Sequence, residues 1–117
     1  MSSTDSILSD MRALVLSNES STDFDKDLII HINSTFSLLH QLGAGPPEGF
    51  SIEDDSAIWA SFSSDETLLG LVKTFMFLNL RLIFDPPVNS FTLESMKQQI
   101  EEYKWRINVV VDRGEVT

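Results

Sequence analysis

Cysteine is absent from this chain, and bases are scarce: 8 lysines and arginines stand against 18 aspartates and glutamates. The first absence excludes a disulfide framework, a thiolate metal site and a thiol nucleophile, and it fits synthesis in a reducing compartment. The second argues against phosphate binding, because no basic patch is there to displace counterions. The imbalance is local. Residues 1–66 hold two bases, Arg12 and Lys26, against twelve acids and carry the whole net charge of −10, whereas six bases and six acids cancel over 67–117. Long apolar runs are lacking too. The longest, 68–84, is interrupted by Lys73, Asn79 and Arg81 and falls short of the roughly 20 residues that span a bilayer. It reads as a core helix, and no membrane is expected as a partner. Residues 1–10 have neither a basic start nor an apolar stretch, so no signal peptide is expected there.

What is present is helical periodicity. The 117 residues suffice for one domain, which at this size buries a core without a covalent staple. Ile7, Met11, Leu14 and Val15 form one apolar stripe over 6–16, with Thr4 or Asp5 placed to cap it. Residues 17–22 are polar and read as a loop. Over 24–42, Leu28, Ile32, Phe36, Leu39 and Leu42 recur behind Asp23, Asp25 and Asp27, whose charge suits the positive end of a helix dipole. Gly43 stands at the left-handed cap position, and Pro46-Pro47 forbids continuation. Phe50-Ser51-Ile52 suits a short extended piece, and Asp54 or Asp55 is placed to begin a helical turn that carries Ile58, Trp59 and Phe62 inward.

Ser64-Asp65-Glu66 opens a helix over 65–84 that is apolar on most sides, as a central helix must be, and Asp85-Pro86-Pro87 ends it. Its one polar strip is Glu66, Gly70, Lys73, Thr74 and Arg81, with Phe77 in the middle. Asn89 or Ser90 then caps a last helix in which Leu93, Met96, Ile100, Tyr103, Ile107 and Val110 make a heptad seam. The β-branched run around Val109, Val110 and Val111 predicts an early end to that helix. The expected fold is all-α: a small bundle of four to five helices around a central apolar helix, one domain over 1–108, and an extended C-terminal tail over 109–117.

No catalytic residue, metal ligand or cofactor site emerges. Asp23-x-Asp25-x-Asp27 begins like a calcium loop, but Leu28 and Ser34 occupy the positions that need Gly and Glu. His31 and His40 are nine residues apart and fall on opposite faces of one helix, so they cannot hold a metal together. Gly43-Ala44-Gly45 follows a helix, whereas a dinucleotide fingerprint follows a strand. Glu53-Asp54-Asp55 has no base or acid partner nearby and reads as a solvated loop. The aromatic residues are more informative. Trp105, followed by Arg106, lies opposite the heptad seam, and Phe77 interrupts a polar strip. Either other helices cover them or they anchor a subunit contact, since Trp and Arg are enriched at interface hot spots.

The runs Leu28-Ile29-Ile30-His31-Ile32-Asn33, Gln41-Leu42-Gly43-Ala44-Gly45-Pro46, Val72-Lys73-Thr74-Phe75, Arg81-Leu82-Ile83-Phe84-Asp85-Pro86-Pro87 and Glu102-Tyr103-Lys104-Trp105-Arg106-Ile107-Asn108 resemble the head–tail connector, or adaptor, proteins of tailed bacteriophages. The resemblance spans about residues 28–108 and is one of order and texture, without a diagnostic chemical motif. It implies a structural virion protein, made in the host bacterial cytoplasm, that forms a homo-oligomeric ring of 12 copies under the portal protein. It also implies a tail-side connector or stopper as the next partner, and DNA that passes through the channel without specific binding. On that view Phe77, Trp105, Arg106, Val109, Val110, Val111 and Arg113 are candidates for subunit or portal contacts. Glu48, Glu53, Asp54 and Asp55 are then candidates for an acidic channel surface. An alternative from another class is an acidic phage inhibitor that mimics DNA toward a host nucleic-acid-binding protein.

Overall fold

The computed structural model describes residues 4–16 and 22–116, with side chains through 112. The loop expected over 17–22 lies almost wholly outside the described residues. Among those described there are five α-helices and a π turn, and no strand; Ser6 and Ile58 form a single antiparallel bridge.

The first helix, α1 (Ile7–Met11), runs directly into the π turn (Arg12–Leu16). Its cap is Ser6, whose Oγ accepts from the Ser9 amide at 3.2 Å. That corrects the expectation of Thr4 or Asp5: the Asp5 carbonyl instead accepts from the Trp59 amide, which ties the entering chain to the segment around Ile58. In the π turn Arg12 is buried, and its Nε and Nη2 meet both carboxylate oxygens of Asp25 at 3.0 and 2.8 Å. A fork of this kind satisfies a charge that would be costly to bury alone.

The second helix, α2 (Asp25–Gln41), has the expected extent, with Phe24 and Leu42 at its caps. Gly43 follows at φ 87, in the left-handed region that a side chain rarely adopts, and Ala44 returns its amide to the Leu39 carbonyl at 2.9 Å. The chain then crosses a long loop whose middle is pinned to α2. Asn33 Nδ2 donates to the Ile52 carbonyl at 3.0 Å, and the Ile52 amide donates to Asn33 Oδ1 at 2.8 Å. The short α3 (Trp59–Phe62) delivers Trp59 and Phe62 to the core, as expected, but it starts at Trp59 and not at Asp54 or Asp55. Asp54 makes a local turn instead, because its carboxylate accepts from the amide and hydroxyl of Ser56.

The central helix is α4 (Glu66–Phe84). Asp65 caps it by accepting from the Thr67 and Leu68 amides at 3.0 and 3.2 Å. It packs against α2, the π turn and α5, and buries Leu68, Leu69, Val72, Phe75, Met76, Leu78 and Leu80. By length and composition alone it would also pass as a membrane span, with a mean hydropathy of 1.6. Its neighbours on several sides bury 39 % of that apolar window, including Val72, Phe75, Met76 and Leu80.

Asn89 caps α5 (Ser90–Val116) through the Phe91 and Thr92 amides at 2.8 and 3.1 Å, and the chain turns back along α4. Met96 and Ile107 of the seam are buried, and Ile100, Tyr103 and Val110 are packed beside them. Where an extended tail was expected from Val109, α5 is described as helical through Val109, Val110 and Val111 and on to Val116. The disfavour of β-branched residues for a helix amounts to a few tenths of a kcal/mol each, which packing overrides. Val110 and Val111 do pack, lining a cleft with Gly43, Ala44, Phe62 and Leu68. At 27 residues α5 is about 40 Å long against about 28 Å for α4, so its last turns pass the start of α4 and reach the Gly43 loop.

Candidate interaction surfaces

The largest exposed aromatics both lie on the outer face of α5. Phe91 is 82 % exposed and Trp105 67 %. They are two heptads apart, with Gln98 between them, so one stripe carries all three residues along the side opposite the buried seam. The stripe is rimmed by charge. Glu94 pairs with Lys97 at 3.8 Å and Glu102 with Arg106 at 3.5 Å, and the Arg106 guanidinium stands 5.6 Å from the Tyr103 ring centre. Glu101, one turn before Trp105, and Asp112 have no ion pair among the described residues.

The α4–α5 corner extends the apolar surface: Ile83 is half exposed and Val88, after Pro86-Pro87, fully so. Of the other expected contact residues, Val109, Val110 and Val111 are half-buried, Val110 and Val111 against the core, and the side chain of Arg113 lies outside the described residues. Trp105 and Arg106 are thus open to a partner, while Val110 and Val111 already serve the fold.

Phe77 is half-buried. It lines a notch of about 230 Å³ with Leu14 of the π turn and Lys73 and Thr74 of α4. The Lys73 ammonium stands 5.3 Å from the Trp59 ring centre, and neither Lys73 nor Arg81 is ion-paired among the described residues. Glu48, Glu53, Asp54 and Asp55 all project from the loop between α2 and α3 and are exposed. Hydrogen bonds from the Ser56 hydroxyl and amide hold the Asp54 carboxyl below its usual 3.8.

The histidines divide as their spacing required. His31 is half-buried with its ring 5.5 Å edge-on from Phe84, and His40 is exposed beside a shallow cleft that Glu48 also lines. No hydrogen bond joins His40 to Glu48 among the described residues, and Asp25 is engaged by Arg12. The carboxylates and histidines therefore sit apart, each within the fold or in open solvent.

A family model described as "Phage connector protein" matches residues 7–114, which takes in every helix from α1 through nearly all of α5. The chain belongs to that family. It is matched by no curated protein and no solved structure. Membership makes the chain a phage connector protein, in keeping with a structural head–tail role, and implies contact with other virion components.

Two parts of the connector's surface escaped the sequence reading. Phe91 occupies the same heptad position as Trp105, so the register that singled out one aromatic also marks the other. The Leu14 side of the notch carried no such signal, because Leu14 looks like a core member of its stripe until the π turn rotates it outward to 39 % exposure.

Proposed function

We propose that this connector is a head–tail adaptor: a structural subunit, without catalytic activity, that assembles as a ring of 12 copies beneath the portal and continues the DNA channel toward the tail. The observation that carries the reading is the family match over residues 7–114. The structure adds a surface suited to assembly. Two large aromatics on one exposed helix face are expensive to leave in water, and such residues commonly anchor interfaces. Trp105 and Arg106 are the proposed hot spot. The end of α5, from Val109 through Arg113, is the proposed portal-facing segment.

In the ring, the loop carrying Glu48, Glu53, Asp54 and Asp55 is assigned to the channel, where like charge would let DNA pass without sticking. That placement also favours the connector over a DNA mimic, which would need its carboxylates spaced along one face like phosphates. The protein would be made in the host bacterial cytoplasm and then join the virion at the head–tail interface, where a tail-side connector or stopper follows it.

Electron cryomicroscopy of virions tests the assignment. A ring of this chain between portal and tail is the expected result. Density for the chain elsewhere, or particles that lack it, would sink the proposal. Inhibition of a host nuclease by the purified chain, relieved by competitor DNA, would favour the mimic instead.

A further inference from the structure

Two exposed apolar faces of the molecule run in the same direction. One is the α5 stripe of Phe91 and Trp105. The other is the side of α2 away from its buried residues, where Ile30 is 60 % and Leu38 38 % exposed, with Ser34 between them and half-exposed Phe24 at the start. The directions follow from contacts at the two ends. His31, early in α2, packs against Phe84 at the end of α4, and Gly43, just after α2, meets Val111 near the end of α5. The second helix is therefore antiparallel to α4 and parallel to α5. Heights along the two helices match as well. Leu38 lies five residues before Gly43 and Trp105 six before Val111, about 8–9 Å along each helix. Phe24 and Phe91 lie nineteen and twenty residues before the same pair, about 29–30 Å.

Charge points to a second copy as the occupant. From Leu28 to Pro47 the chain has no Asp, Glu, Lys or Arg, so the α2 face beyond Asp27 is neutral. Beside the α5 stripe, Glu94 pairs with Lys97 and Glu102 with Arg106. In a chain of net charge −10, copies meet with least repulsion on faces that carry no unbalanced charge. We infer that the two faces are the halves of one contact between neighbouring copies: α5 of one copy lies along α2 of the next, with Trp105 against Leu38 and Phe91 toward Phe24. The inference rests on the reading of the chain as a ring-forming adaptor and supplies the faces that meet. Because the faces differ, the contact is head-to-tail. In a ring of 12 each copy is turned by about 30° from the last around one axis. Helices that are parallel within a copy thus stay nearly parallel across the joint, and helices that run along the axis keep their heights.

The test uses the full chain, which contains no native cysteine to confuse it. Ser34 and Glu102 are exposed and stand nine residues before Gly43 and Val111 respectively, so they share a level at the middle of the contact. A mixture of Ser34→Cys and Glu102→Cys chains, treated with a short bis-maleimide, should give a crosslinked heterodimer, while each chain alone should give none. In sedimentation equilibrium, Trp105→Asp and Leu38→Asp should each weaken self-association by on the order of thirtyfold or more, as central hot spots do. Each of these variants keeps one intact face. Mixed together, they should form a heterodimer of near wild-type affinity that grows no further. Thermal unfolding of each variant separates loss of contact from loss of fold, and Ile30→Asp, at a more exposed site, takes the place of Leu38→Asp if that chain misfolds.

Several results overturn the inference. One is a Glu102→Cys chain that crosslinks efficiently with itself, which would mean that α5 meets α5. Another is a mixture of the Trp105→Asp and Leu38→Asp chains that forms no heterodimer. A third is a Trp105→Asp chain that loses portal binding but keeps full self-association, which would assign the face to the portal. A wild-type chain that stays monomeric to its highest soluble concentration also removes the contact, and it leaves the adaptor reading to stand or fall on the virion. A virion ring in which α5 and the neighbouring α2 lie apart would sink the contact while upholding the adaptor.

Discussion

The part of the chain before Asp65 adds polar pins to a large share of the apolar core, whereas the α4–α5 hairpin is held by an apolar seam and two caps. In the first part, Arg12 forks onto Asp25, Asn33 clasps Ile52, and the Trp59 indole donates to Asp10 at 2.8 Å. Each pin joins segments distant in sequence. In the hairpin, the two ion pairs along α5 are exposed and contribute a few tenths of a kcal/mol each, so burial along the seam dominates. A fully buried seam side chain contributes about 1.5–3 kcal/mol. Two short helices and a long loop cannot fix their own register by periodicity, so they need directional bonds. Two long antiparallel helices need only a repeat.

The sharpest way to break that comparison is at the residue both parts share. Trp59 is wholly buried, donates to Asp10, and lies under Lys73 of α4. Trp59→Ala should cost about 3–5 kcal/mol, through the cavity it leaves, in urea unfolding followed by circular dichroism. A single cooperative transition is expected. A first transition confined to residues before Asp65, with helicity retained above it, would mean that the hairpin stands alone.

A smaller effect isolates one pin. Asn33→Ala removes both bonds to the Ile52 backbone and leaves a buried residue's amide and carbonyl without their partner. The expected loss is about 2 kcal/mol, since an orphaned buried group forfeits its desolvation as well as its bond. If the whole chain unfolds in one transition, the slowest α5 amides should lose protection by the global amount, and the Ile52 amide, which also loses its bond to Asn33, should lose more. An α5 left fully protected would show that the hairpin unfolds apart from the rest.

The same contrast explains what was legible in the sequence. The hairpin could be read almost residue by residue: a cap was expected within Ser64-Asp65-Glu66 and at Asn89 or Ser90, the heptad seam was the buried face, and Trp105 was outside. Helical periodicity and caps are local signals, and the hairpin is made of little else. Before Asp65 the local signals misled in detail. The Ser6 cap was missed because the residues before it pair with a segment some 50 positions on, and the clasp of Asn33 on Ile52 has no local trace. The end of α5 differs from the expectation for the converse reason. A local preference against helix was weighed without the Gly43 loop, whose glycine lets Val111 come within 3.0 Å of where a Cβ would stand. Of the outer surface, Trp105 was visible in the heptad register, but the notch beside Phe77 draws on the π turn and α4 together.

Caps give the next smaller effect. Asp65→Ala frees the Thr67 and Leu68 amides at the start of α4 and should cost about 1 kcal/mol, read as a shift in urea midpoint. That is less than the Asn33 pin, because water replaces the lost partner at an exposed helix end. A loss as large as that of Asn33→Ala would mean that Asp65 also holds the cleft lined by Phe62, Leu68 and Val110, and the hairpin would then depend on a polar pin after all.

The smallest effect concerns charge in the part that carries nearly all of it. Asp54 is fully exposed, and its carboxyl is held below 3.8 first by the Ser56 hydroxyl and then by the Ser56 amide. A folded-state pKa below the unfolded one adds stability above the unfolded value and loses it as pH falls through the folded one. Ser56→Ala removes the larger cause, so the Asp54 carboxyl should titrate closer to 3.8, followed by carboxyl carbon shifts in NMR. Stability at neutral pH should fall only slightly, and the difference between variant and parent should vanish at pH values below both pKa values. A persistent difference there would assign the Ser56 hydroxyl a role in shaping the loop apart from charge. The acidic loop would then be an ordered surface fixed by its own turn, and its four carboxylates would hold fixed positions relative to α2.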